Sequence, residues 1–137
     1  MIASAGAVYA QAMEALSITS QGGQKHGFQV EVARNDADRA QGLMFRRSMA
    51  ADHGMLFDFG RVEPVSMWMQ NTYLPLDMLF IRQDGTIARV AANTEPLSTR
   101  TISSGEPVLA VLELNAGTAA RLGIKPGDKV EHPLFRR

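Results

Sequence analysis

The apolar residues of this chain fall in short runs, and turn-forming residues separate them. No other feature limits its fold so strongly. Phe28, Val30 and Val32 alternate with Gln29 and Glu31, which is the period of a strand with one buried face. Residues 55–59 (MLFDF) and 66–69 (SMWM) are two more short runs, split by Gly-Arg-Val-Glu-Pro, and predict two strands. Residues 77–82 and 86–92 flank Gln83-Asp84-Gly85. An Asp-Gly between apolar runs predicts a hairpin, because glycine accepts the positive φ of the turn. Residues 108–114 (VLAVLEL) form the most apolar run and predict a central strand.

Helical signals are brief. Asn35 or Asp36 is placed to cap a short helix running to about Leu43, with Asp36 and Asp38 in its first turn and Gly42 near its end. Negative charge there favours the positive end of the helix dipole. Asn115 is read as the cap of a second helix that Gly123 closes. Lys125-Pro126-Gly127-Asp128 has the composition of a type II turn. We read no βαβ alternation. The expected fold is mainly β: an antiparallel β-sandwich or a partly open barrel with one or two short helices.

The chain has 137 residues, enough for one hydrophobic core. Residues 1–27 are expected to be the remnant of a signal peptide followed by a linker, and residues 28–137 a single β domain. The N-terminal run MIASAGAVYAQAMEAL carries one charge, Glu14, and offers small residues where a signal peptidase cleaves. It is too short to span a bilayer, which takes roughly 20 apolar residues, so no stable membrane insertion is expected. The reading places the protein in the periplasm or among secreted proteins. The absence of cysteine excludes disulfides, thiolate metal sites and a cysteine nucleophile. Lys+Arg and Asp+Glu are equal at 14 each, which argues against a nucleic-acid partner, since that affinity comes largely from excess positive charge.

Four motifs mark the chain: Gly42-Leu43-Met44-Phe45-Arg46, Gly54-Met55-Leu56-Phe57, Met67-Trp68-Met69-Gln70-Asn71-Thr72 and Pro75-Leu76-Asp77-Met78. In their order and spacing the chain resembles the domain of unknown function 192 family, from about Phe28 to Val130. The resemblance implies a β-sandwich-like fold and often export. It implies no activity. Gln70 stands where the family commonly has a lysine, and Arg39 resembles a family position.

Three constellations carry candidate chemistry. In the first, Trp68 is an apolar platform, Asn71 and Thr72 orient a ligand, and Asp77 anchors it; Arg46 either pairs with Asp77 or meets an anionic group. A flat ring beside an amide, a hydroxyl and a carboxylate suits a small polar ligand or an envelope saccharide, with no cofactor. The same residues also describe an ordinary turn. In the second, Asp77 and Glu113 are the acid/base pair of a cell-envelope hydrolase or lyase, with His53 in support. Each acid lies on an apolar strand face, so it must be near an edge, hydrogen-bonded or paired. Arginine pairing by Arg39 or Arg46 is the plainer alternative. The third is methionine density. Six of the eight methionines lie between residues 44 and 78, and thioethers suit Cu(I). Met44, Met55, Met67 and Met69, with His53, are the candidate ligands. Methionine also fills irregular cores, and that reading is favoured. Of the three constellations, we favour a non-catalytic ligand-binding module.

Overall fold

The most apolar run does become the middle of the sheet. In a computed structural model that describes residues 12–136, it forms most of β6 (Ile102–Asn115). β3 (His53–Met67) lies on one side of it and β4 (Leu76–Ile81) on the other. The remaining strands are β1 (Glu14–Thr19), β2 (Lys25–Ala33), β5 (Ile87–Thr94) and β7 (Lys129–Glu131). Their order is β5-β4-β6-β3-β2-β1-β7, a seven-stranded mixed sheet curved into a half-barrel. Two short helices, α1 (Asp36–Gln41) and α2 (Thr118–Leu122), accompany it among the described residues. The mainly-β expectation holds.

The two outer strands meet at one end. Thr86 bridges Lys129, and the backbone N–H groups of Ile87, Gly127 and Val130 donate to the carbonyls of Asp128, Ile87 and Gly85. Gly85 adopts φ +91°, as its hairpin turn requires.

Four local expectations need correction. Residues 14–27, read as leader and linker, form β1, a turn and the start of β2. Leu16 and Ile18 are buried there while their polar neighbours face outward; so short an alternation is hard to see among serines and glutamines. Residues 1–11, where most of the expected signal remnant falls, lie outside the described residues. Second, β2 and β3 are parallel, joined by α1, so one βαβ unit is present. α1 buries no residue, so it lacks the apolar stripe by which a crossover helix is usually read. Third, residues 55–69 do not form two strands. β3 runs on through Gly-Arg-Val-Glu-Pro with a register shift between Asp58 and Glu63. Gly60 at φ +77° bends the chain, and its N–H donates to Asp58 Oδ1 at 2.8 Å. Fourth, Gly117 caps α2 instead of Asn115. Asn115 ends β6, and its side-chain amide donates to the Met49 carbonyl at 2.8 Å.

Two apolar clusters divide the core by sheet face. The first draws on all seven strands, with Ile18, Val30, Leu56, Ile81, Ile87, Leu112 and Val130 among its members, and fills the inside of the curve. The second lies on the opposite face of β3, β4 and β6 and includes Leu43, Met55, Phe57, Met69, Met78 and Phe80. Each such side chain contributes about 1.5–3 kcal/mol on burial. The second cluster is covered by the segments around Leu43 and Met69, and the candidate site lies at this cover.

Candidate functional site

Glu113 is the residue around which the site is built. It lies in β6 directly opposite Met55 of β3 and Met78 of β4. Both methionines are buried. Gly54 allows β3 to close up here: a Cβ at that position would come within 2.6 Å of the Glu113 carbonyl oxygen. The Glu113 side chain is therefore held in the apolar face of the second cluster, 4% exposed. Burial pushes its carboxyl up from the usual 4.5 to about 8, and no charge or hydrogen bond among the described residues offsets the effect.

A cavity of about 290 Å³ opens over this carboxyl. One wall is α1 and the turn after it, including Arg39, Gln41, Gly42 and Met44. Phe57 and Phe59 of β3 form another, and the segment 66–72 closes it with Met67, Trp68, Gln70 and Thr72. α1 is fixed by its cap, since Asn35 Oδ1 accepts from the Asp38 N–H at 2.8 Å. Arg39 pins the helix to the bend in β3. Its guanidinium donates to the Asp58 carbonyl at 2.8 Å and to Asp36 Oδ1 at 2.6 Å, and lies 6.0 Å from the Phe59 ring centroid. Gly42 turns the chain at φ +48°; a Cβ there would press on the Phe57 ring at 3.2 Å. Trp68 is 48% exposed at the mouth. Thr72 is buried, and its hydroxyl donates to the Gln70 carbonyl at 3.0 Å.

The structure divides the sequence candidates. Trp68 and Thr72 line the cavity, as do Met44, Met67 and Glu113. Asn71, Arg46 and Asp77 are absent from its lining. Asn71 takes φ +54°, and its carbonyl accepts the Phe45 N–H at 2.8 Å, so its role is to shape a turn. Arg46 makes a two-point pair with Glu31 instead of Asp77. Asp77 is fully buried. Its Oδ1 accepts from the Asn93 N–H and its Oδ2 from the Ala119 N–H, both at 2.9 Å. That carboxyl ties β4 to β5 and α2.

The expected Asp77/Glu113 pair does not form. Asp77 stands opposite Leu114, and Glu113 opposite Met78. Side chains alternate along a strand, so the two carboxyls project from opposite faces of the sheet. His53 lies at the start of β3 beside Asp52 at 3.7 Å, outside the cavity lining. Met55 and Met69 are buried in the second cluster, and Met69 Sδ lies 3.2 Å from the Thr94 hydroxyl that donates to it. They are core residues. Of the cavity lining, only Trp68 and Thr72 belonged to the ligand reading of the sequence; Gln41, Phe57 and Gln70 escaped it, as did Arg39, noted there as a carboxylate partner, and Glu113, noted there as a catalytic acid. An acid within the most apolar strand was the available signal for Glu113.

A larger hollow, about 880 Å³, lies along β1, β2 and β7. Its charges are of both signs, and Lys25 and Glu131 already pair at 3.4 Å. Among the described residues its carboxyls are all partnered, Asp84 by Thr86, Asp52 by His53 and Glu131 by Lys25, so the smaller cavity is the better candidate.

Comparison with known proteins gives the following. Residues 17–132 match DUF192, described as an uncharacterized ACR. A crystal structure from Sinorhizobium meliloti 1021, of a protein provisionally described as a transcription regulator, is 54% identical with a TM-score of 0.89. The match covers 91% of this chain and 97% of that one. A protein of unknown function from Novosphingobium aromaticivorans DSM 12444 is 40% identical with a TM-score of 0.85, covering 93% of this chain and 94% of its own. No curated protein matches.

Proposed function

Because this chain belongs to the uncharacterised family DUF192, we propose from the site itself that it is a small-ligand-binding module, non-catalytic, with its site in the Glu113 cavity. One observation carries the reading: a buried carboxyl with no partner among the described residues, opening into a hollow lined by aromatic and polar groups. An unpartnered buried polar group costs about 1–3 kcal/mol or more. A ligand that supplies the missing partner recovers that cost. Trp68 offers the flat platform, and Gln41, Gln70 and Thr72 offer hydrogen bonds. The volume lies near the lower edge of ordinary ligand pockets, roughly 300–1,000 Å³.

A hydrolase reading keeps Glu113 as an acid that is protonated at neutral pH, but it lacks the second carboxylate that Asp77 was to supply. A Cu(I) reading keeps Met44 and Met67 on the lining and loses Met55 and Met69 to the core. The regulator description of the Sinorhizobium protein suits ligand sensing. A net charge of zero gives no support for direct DNA contact. A periplasmic or secreted location remains part of the proposal, resting on the alanine-rich N-terminal run and the lack of cysteine.

The single tryptophan at the cavity mouth supplies the test. Its fluorescence is followed while monosaccharides, amines and small carboxylic acids are titrated in turn. Saturable quenching or enhancement by one class, lost in Glu113→Gln, is the expected result. A flat response to every class, with no shift in melting temperature, would overturn the proposal.

A further inference from the structure

Resting on that reading of the cavity, we infer that its occupant is a small organic cation, an amine or quaternary ammonium whose positive centre sits against the Glu113 carboxylate and whose body lies along Trp68. The argument is the electrostatic character of the lining. The lining includes the carboxyl of Glu113, the thioether residues Met44 and Met67, and the aromatic residues Trp68 and Phe57, all electron-rich side chains. Aromatic faces attract cations through their quadrupole, and aromatic walls with a carboxylate are how ammonium groups are held. Neutral ligands gain only area and hydrogen bonds from such walls, and anionic ligands meet an unfavourable field.

The charged groups around the cavity are few. α1 brings Asp36 and Arg39, and β6 brings Glu113. β3 and β4 place Met55 and Met78 opposite Glu113, and segment 66–72 brings no charge. Arg39 is the one cation among the described residues of the lining, and no hydrogen bond or ion pair joins it to Glu113. Its terminal nitrogens are taken by the Asp58 carbonyl and Asp36, and it already lies over Phe59. Among the described residues the carboxyl is thus left without a counter-ion.

Binding is coupled to a proton. In the empty protein at neutral pH Glu113 is the neutral acid. When the cation arrives, the carboxyl releases its proton to solvent and becomes the counter-ion. No bond forms to the ligand, and charge within the cavity is conserved. Affinity therefore rises with pH and levels off above about 8.

Two pairs of probes differ in charge and little in shape: choline against 3,3-dimethylbutan-1-ol, and benzylamine against benzyl alcohol. Each is titrated calorimetrically at pH 8.5, with glucose as a third class. The cation of at least one pair is expected to bind roughly 10- to 100-fold tighter than its neutral partner, and Glu113→Gln to bring that ratio near one. The unmodified protein gives a second readout. In buffers of differing ionisation enthalpy, cation binding at pH 7 releases close to one proton, and at pH 9 almost none. Below pH 8 the affinity falls about tenfold per unit. If a neutral probe or glucose binds as well as the cations, or the preference survives in Glu113→Gln, the inference falls while the cavity stands as a binding site. If no proton is released at pH 7, the Glu113 assignment falls. If neither cations, neutral probes nor glucose bind, the inference and the proposed function fall together.

Discussion

Asp77 and Glu113 are buried carboxyls on neighbouring strands, one register position apart, and the fold treats them in opposite ways. Asp77 points to the inner face of the sheet and accepts two backbone N–H bonds, from Asn93 in β5 and Ala119 in α2. It is satisfied at both oxygens and in turn satisfies the buried amide of Ala119 and the part-buried amide of Asn93. Glu113 points to the outer face, meets two methionines, and receives nothing. The first acid is a rivet between elements. The second is a liability to the empty fold, which becomes intelligible if something else completes it. Burial alone therefore does not mark a functional acid. What matters is whether the protein itself supplies the donors.

This contrast can be broken or sharpened by substitution. Asp77→Ala leaves one buried and one part-buried amide without an acceptor and is expected to cost about 2–4 kcal/mol in urea unfolding; a loss below about 1 kcal/mol would remove the rivet. Glu113→Gln is expected to act in the opposite sense. The folded protein holds the Glu113 proton up to about pH 8, whereas the unfolded carboxyl releases it near 4.5. The folded state binds more protons in that window, so stability falls as pH rises through it, by roughly 1.4 kcal/mol per pH unit. The Gln variant lacks that decline. It should match the parent near pH 4.5 and exceed it at pH 8; equal unfolding curves at both pH values would show that Glu113 carries no such cost. Asn35→Ala removes the cap of α1, the wall of the cavity, and should cost about 1 kcal/mol. Hydrogen exchange then distinguishes a loosened α1 from global destabilisation. Arg46→Ala breaks the pair with Glu31, which is partly open to solvent, and is expected to cost no more than about 1 kcal/mol. It should leave probe binding at the cavity unchanged, whereas a loss of binding would return Arg46 to the site.

Much of the fold was legible because its signals are local. Asp84-Gly85 specifies its own hairpin, Asn35 its own cap, and the run 108–114 is too apolar to lie anywhere but the centre. What escaped was set by partners distant in the chain. The parallel pairing of β2 and β3, the meeting of Thr86 with Lys129, and the persistence of β3 through Gly60 and Pro64 depend on which strand lies alongside. The site divides in the same way. Trp68 and Thr72 were found because a ring and a hydroxyl in one loop are visible as neighbours. Asp77 and Glu113 carry identical sequence signals, an acid in an apolar strand. Only the register of β4 against β6 and the cover given by α1 separate them. Arg46 was misassigned because Glu31, its partner across two elements, is invisible at that spacing.

The seam between Thr86 and Lys129 has a bearing on how the protein is made. β7 contributes three residues, yet β1 and the beginning of β5 both need them as neighbours. A folding chain thus carries two unsatisfied strand borders until residues 127–131 have docked. Such borders invite pairing with other chains. The late arrival of so short a seal makes the interval between synthesis and closure the time of greatest risk of aggregation.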